Sequence, residues 1–254
     1  MRILVTNDDS IHAEGLWILE RAARVISEDV WVVAPETEQS GASHSLTLKQ
    51  PLRARRLKDR HFAVQGTPTD CVLLGARSLI TGKRPDLVLS GINHGSNIGE
   101  DVTYSGTVAA AMEGAVLGIP SIAFSQKILY DDEESWSFPP VDRVVLMIRS
   151  LLDRGIPRDS LVNVNFPALR DPKDCKGVRV VPQGRRQLEE DIHAMQDPFG
   201  EPIYWLGRRK MEKRHGAETD LSALQNGYIT VTPVHFDLTH HGLLSHFEGV
   251  SDGS

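Results

Sequence analysis

The sequence predicts a three-layer α/β/α fold around a mostly parallel, Rossmann-like sheet, with a β-rich C-terminal appendage. Three observations point there. Short, continuous apolar runs alternate with helical patterns through the first half of the chain. These runs lack the in–out alternation of strands with one wet face, as expected when helices cover a parallel sheet on both sides. Beyond Pro167 strand-like runs continue, but long helical patterns no longer separate them.

Ile3-Leu4-Val5 is the first strand, ending in the polar turn Asn7-Asp8-Asp9-Ser10. Leu16, Leu19, Ala23 and Ile26 then recur at helical spacing. Val30 to Val33 is a second strand, stopped by Pro35. Thr67-Pro68-Thr69-Asp70 carries a cap, a proline at the first helical position and an acid three residues after the cap, so a helix follows through Cys71, Leu73 and Leu74. Leu87-Val88-Leu89 is a third strand, and Val108 to Leu117 an Ala-rich helix. Ser121 to Phe124 is a fourth strand, Val141 to Leu152 an amphipathic helix, and Leu161 to Val164 a fifth strand. Val178 to Val181, Ile203 to Leu206 and Tyr228 to Val231 read as strands of the appendage. The region Arg185 to Gly216, rich in charge, Gly and Pro, reads as an arm or hairpin excursion, and Gly249 to Ser254 as a frayed tail.

Composition limits the rest. A chain of 254 residues fits one large domain or a domain with an addition, divided here as residues 1–166 and 167–254. With 40% hydrophobic and 24% charged residues it is not a disordered chain. Its 28 Lys+Arg against 34 Asp+Glu give a net charge of −6, the wrong sign for a nucleic-acid polymer as a stable partner. No apolar run approaches the roughly 20 residues that span a bilayer, and the N-terminus lacks a signal-peptide core. The two cysteines, Cys71 and Cys175, have no metal-motif spacing and exclude a disulfide framework. The expectation is a cytoplasmic enzyme with reduced thiols.

In an open parallel sheet, ligands bind beyond the carboxyl ends of the strands. Asp8-Asp9 follows the first strand, Glu36 to Gly41 the second, and Ser90-Gly91-Ile92-Asn93 the third. Asn97 comes next, and Ser105-Gly106-Thr107 opens a helix. Adjacent aspartates repel, so either one holds a proton or a cation neutralises both. On its own such a pair is a solvated turn that caps a helix; its convergence with three other polar clusters favours a site. Ser40 and Asn93 are nearby oxygen donors, and an all-oxygen set favours Mg²⁺, Mn²⁺ or Ca²⁺ over Zn²⁺. Ser105-Gly106-Thr107 suits a phosphate at a helix start, or is an ordinary cap. P-loop and dinucleotide fingerprints are absent.

Several motifs together resemble the SurE (survival protein E) family of nucleotidases. They are Ile3 to Asp9, Ser40-Gly41-Ala42-Ser43, Gly66 to Cys71, Ser90 to Asn93, Tyr104 to Gly114 and Tyr228 to Pro233, in order along nearly the whole chain. The resemblance implies a divalent-metal phosphomonoesterase acting on nucleoside 5′- and 3′-monophosphates, extending to short polyphosphate. It implies one metal ion per subunit, held by Asp8, Asp9, Ser40 and Asn93, with Mg²⁺ or Mn²⁺ expected and Ca²⁺ an alternative. Asn97, Ser105, Gly106 and Thr107 match the phosphate neighbourhood. Asp8, Asp9 and Ser105 are the expected catalytic groups, an aspartate acting as base or nucleophile. Ser10, Glu14 and His44 depart from the commoner Gly, Pro and Asn of the family.

Other residues carry open assignments. His12 flanks the metal loop. Asp237 and His241 are four apart and would share a helix face, and the resemblance sends this tail to a neighbouring subunit. A homodimer or homotetramer is expected, held partly by the Ile203–Leu206 arm and the Phe236–Leu244 segment. Trp17 and Trp31 are expected in the core, while Trp136 and Trp205 fit an interface or a stacking surface. Arg208-Arg209-Lys210 and Lys213-Arg214 form a solvated face or steer an anionic substrate. The competing functions are a non-catalytic nucleotide-binding module and a receiver-like signalling domain. The second lacks its phosphoacceptor, since Ser90 stands at the end of the third strand.

Overall fold

The computed structural model describes residues 1–129, 136–185, 192–206 and 218–250. Among them, nine strands form one sheet in the order β3-β4-β2-β1-β5-β6-β7-β11-β8, with β9 and β10 in a separate hairpin. The parallel centre comprises β1 (Arg2–Thr6), β2 (Asp29–Pro35), β4 (His61–Gln65), β5 (Leu87–His94), β6 (Ser121–Gln126) and β7 (Ser160–Phe166). Helices α1 (Glu14–Ile26) and α4 (Val141–Arg154) pack against each other, as do α2 (Pro68–Leu74) and α3 (Gly106–Val116). Alternate residues of β1 enter two different cores: Ile3 and Val5 join the α1–α4 side, Leu4 the α2 side. That is why its run is uniformly apolar. β1 lies between β2 and β5, where the winding of the sheet reverses, and a crevice opens beyond its carboxyl end.

The helices follow their sequence signals. Thr67 accepts from the Asp70 backbone N–H while the Asp70 carboxylate accepts from that of Thr67, closing the expected capping box. α3 is buried on nearly all sides, so its small residues Ala109, Ala110, Ala111 and Gly114 permit close approach rather than forming a stripe. At Gly114 an added Cβ would lie 2.2 Å from the Ser121 hydroxyl oxygen.

Two strands on one side of the sheet, the edge strand β3 and its neighbour β4, escaped the sequence pattern. β3 (Arg53–Lys58) is exposed along its whole length, and its arginines give no apolar period. It pairs antiparallel with β4, which is short and carries His61 at its start. The expected later strands are present, but two of them extend the main sheet. β11 (Ile229–His235) runs antiparallel to β7, and β8 (Val178–Val180) lies parallel to β11. The hairpin joins β9 (Ile192–Gln196) to β10 (Pro202–Leu206) within the expected arm. α5 (Asp220–Gln225), capped by Thr219, was not anticipated. The basic runs at Arg208 and Lys213, and residues 251–254 of the tail, lie outside the described residues.

Trp17 is 57% exposed, against the expectation of a core residue. Leu16, Leu19 and Ala23 occupy the buried stripe of α1, and Trp17 is turned off it. Trp31, on the internal strand β2, is half-buried, stacked on Phe62 of β4 with its indole N–H donated to Asp29.

Candidate metal and phosphate site

The turn after β1 is fixed by Asn7, whose side-chain amide donates to the Ser10 carbonyl at 2.8 Å. Ser10 has φ 99°, in the left-handed region that favours glycine, which accounts for the usual residue at this point. This turn places Asp8 and Asp9 at the mouth of the crevice, Asp8 buried and Asp9 half-buried.

Three segments close around the pair. From the loop after β2, Gln39 donates its backbone N–H to the Asp8 carbonyl at 2.8 Å, bringing Ser40 and Glu38 to this end of the sheet. From β5, the His94 backbone N–H donates to Asp9 Oδ2 at 3.0 Å. Gly91 allows the strand to bend there: its φ is 123°, and a Cβ would meet the Phe124 carbonyl oxygen at 2.2 Å. From α3, Thr107 donates its hydroxyl to Asp8 Oδ1. Gly106 lies against the same side chain, with room for no Cβ; one would stand 2.9 Å from Asp8 Cβ and 3.0 Å from Oδ2.

Burial, and secondarily the Asp9 charge, push the Asp8 carboxyl up to about 7, against the pull of the Thr107 hydroxyl. Burial also raises Asp9, and Glu38 adds to the rise, while the His94 N–H opposes it. Neither aspartate pairs with a lysine or arginine among the described residues. Asn93 donates its amide to the Gly95 carbonyl at 2.8 Å, which leaves its Oδ1 available. Asn7 Oδ1 is buried without a partner. No group of three or more His, Cys, Asp or Glu residues suited to a metal occurs among the described residues. The chemistry of this donor set, two carboxyls with neutral oxygens around them, suits a hard cation over zinc.

The candidate residues divide by what their atoms already do. Ser40 is exposed and donates its hydroxyl to Glu38 Oε1 at 2.7 Å, so it borders the pair through Glu38. Thr107 spends its hydroxyl proton on Asp8. Ser105 caps α3 by accepting from the Val108 N–H at 3.1 Å, which leaves its own O–H to donate elsewhere. Asn97 is buried: its side chain donates to Ser125 Oγ at 2.8 Å and its backbone N–H to Asn165 Oδ1 at 2.8 Å. Its carbonyl accepts from Asn163 at 2.8 Å and Asn165 at 3.1 Å. Sequence reasoning missed these two asparagines. Their signal was there, since Asn163-Val164-Asn165 puts two amides on one face of an otherwise apolar strand. It also passed over Glu38 as part of the electrostatics.

Asp237 and His241 do meet, at 2.7 Å, but across a turn entering a 3-10 segment rather than along a helix. The His12 backbone N–H bonds to Ser10 Oγ at 3.3 Å.

This architecture has known counterparts. A 5′-nucleotidase SurE from Paramagnetospirillum magneticum is 51% identical over 245 residues, covering 94% of this chain and 92% of that protein. One from Chelativorans sp. is 50% identical over 248 residues, 96% of each. The crystal structure of the SurE protein from Aquifex aeolicus superposes with a TM-score of 0.83 at 42% identity, covering 97% of this chain and 98% of that one. With the survival protein SurE model matching residues 3–190 as well, the chain belongs to the SurE family.

Proposed function

We propose that this protein is a divalent-metal-dependent phosphomonoesterase that hydrolyses nucleoside 5′- and 3′-monophosphates, and short polyphosphate, releasing inorganic phosphate. The observation that carries this reading is the meeting of Asp8 and Asp9 with the first turn of α3, a cation-seeking pair against an anion-seeking helix start. The names of the full-length relatives support a nucleotidase.

Asp8, Asp9, Ser40 and Asn93 are the residues that would hold the cation, Mg²⁺ or Mn²⁺, with Ca²⁺ able to occupy the same oxygens. When bound, that ion supplies charge to a phosphoryl oxygen and acidifies water. Thr107 holds the Asp8 carboxylate in place. Ser105 offers its free O–H to a phosphate oxygen as charge shifts during transfer, and the positive end of the α3 dipole lies beside it. Asp8 or Asp9 would take the proton from water, or act as the nucleophile.

The protein is read as a cytoplasmic homodimer or homotetramer. No helix among the described residues is long and apolar enough to cross a membrane, and Cys71 and Cys175 are free thiols. The arm exposes Tyr204 and Trp205, and the last segment exposes Leu238, Leu244 and Phe247, all apolar groups that a second copy would cover. A phosphate-release panel crossing nucleoside monophosphates and short polyphosphate with Mg²⁺, Mn²⁺ and Ca²⁺ tests the activity. Light scattering tests the assembly, and a monodisperse monomer at micromolar concentration contradicts it.

A further inference from the structure

A cavity of about 790 Å³ opens beside Ser105. Ser105, Ala109 and Met112 line one wall, so a single face of α3 leads inward from the phosphate end. His44, from the loop after β2, lines the same space and is fixed by Glu113, with Nε2 to Oε2 at 3.0 Å. Glu113 is itself buried on α3. Eight residues of helix separate Ser105 from Glu113, about 12 Å by helical rise. Measured from a phosphate at Ser105, that span passes the sugar of a 5′-monophosphate and reaches its base.

We propose that His44, oriented by Glu113, is a specificity-determining residue that hydrogen-bonds the edge of the nucleobase. The proposal rests on the phosphomonoesterase reading above. With Nε2 committed to Glu113, Nδ1 is the ring atom left to meet a ligand; it has no hydrogen-bond partner among the described residues. The other ionisable groups at the cavity serve less well. Asp237 is engaged by Thr239 and His241, and His235 lies at the far end of β11 without a comparable anchor. The loop does not depend on His44 for its place. Ser43 donates its hydroxyl to the Thr103 carbonyl at 2.8 Å and its N–H to the Tyr104 carbonyl at 3.2 Å. A neutral hydrogen bond to the base, made equally in ground and transition states, acts on KM and leaves kcat alone.

The test compares wild type, His44→Ala and Glu113→Gln on a nucleoside 5′-monophosphate, ribose 5-phosphate and p-nitrophenyl phosphate, at saturating Mn²⁺. His44→Ala is expected to raise KM for the nucleotide roughly 3–10-fold, the worth of one neutral hydrogen bond. Its kcat for the nucleotide and both constants for the base-free substrates should be unchanged. Glu113→Gln, which keeps the side chain's shape, should shift the same constant in the same direction by less. An equal loss on ribose 5-phosphate, a fall in kcat, or a greater Mn²⁺ requirement overturns the assignment, because each signals a loop that merely supports the centre. A wild type that turns over none of the three substrates overturns the phosphomonoesterase reading and this proposal with it. Turnover of p-nitrophenyl phosphate alone would reject nucleotides as substrates and leave the phosphatase chemistry standing.

Discussion

Thr107, at the start of α3, donates its hydroxyl to the carboxylate of Asp8, at the end of β1, across a sequence separation of 99 residues. Both residues are buried. The bond ties the anion-seeking end of a helix to the carboxylate pair. Thr107→Val keeps the shape and removes the donor. A hydrogen bond to a charged group is worth about 1.5–3 kcal/mol, or roughly 10–100-fold. That loss should appear as weaker Mn²⁺ activation, with Thr107→Ser retaining most of the wild-type response. Equal metal titration curves for all three proteins would show that the contact plays no part.

Ser105 carries two roles on separate atoms, accepting the Val108 N–H while its O–H stays free. Ser105→Ala should therefore cost about 1 kcal/mol of stability as a lost cap. It should also lower kcat by roughly 10²–10³ if the hydroxyl acts on developing charge. Excess Mn²⁺ should not rescue it, whereas Asn93→Ala should improve as metal is raised. The reverse pattern in a metal titration would exchange the two assignments.

The central strands were legible because both faces are buried, so their composition alone reveals them. The placement of Asp8, Asp9 and Asn93 at one end of the sheet was legible because each stands at the carboxyl end of a parallel strand. β3 was not: an edge strand of arginines has no apolar period to read. The actual use of the Thr107 hydroxyl was also hidden, since a helix-start threonine faces either a ligand or a neighbour, and only tertiary packing chooses. The same holds for Asn97, whose surroundings depend on β7, 68 residues away at Asn165.

The Asn97–Asn165 contact should be structural in its effect. Asn165 satisfies both the N–H and the carbonyl of Asn97 in a buried setting. Asn165→Leu leaves the N–H without its acceptor, an unpaired buried group that costs about 1–3 kcal/mol. Urea unfolding should show that loss as a lower midpoint with an unchanged slope. An unaltered midpoint would mean that the network adds nothing to stability.

Away from the site, Glu20 links α1 to β4 through His61 Nε2 at 2.9 Å and to Arg24 at 2.8 Å. Burial alone would raise its carboxyl, but the bonds from His61 and Arg24 outweigh burial and lower it from 4.5 to about 2. A folded-state value below the unfolded one stabilises above the unfolded value and ceases to do so as pH falls through the folded one. The gap in urea midpoint between wild type and Glu20→Gln should thus be widest above pH 4.5 and shrink as pH drops toward about 2. A gap independent of pH would contradict the ion pair as its source.

The central claim is that Asp8 and Asp9 hold a cation on which phosphate release depends. The most direct measurement is phosphate release from a nucleoside 5′-monophosphate by wild type and Asp8→Asn, each stripped with chelator and then titrated with Mn²⁺. Wild type should be inactive when stripped and recover fully. Asp8→Asn should stay folded, because losing one of two like charges relieves repulsion, yet bind Mn²⁺ weakly and remain inactive. Full activity in the stripped wild type, or wild-type turnover by Asp8→Asn, would contradict the account.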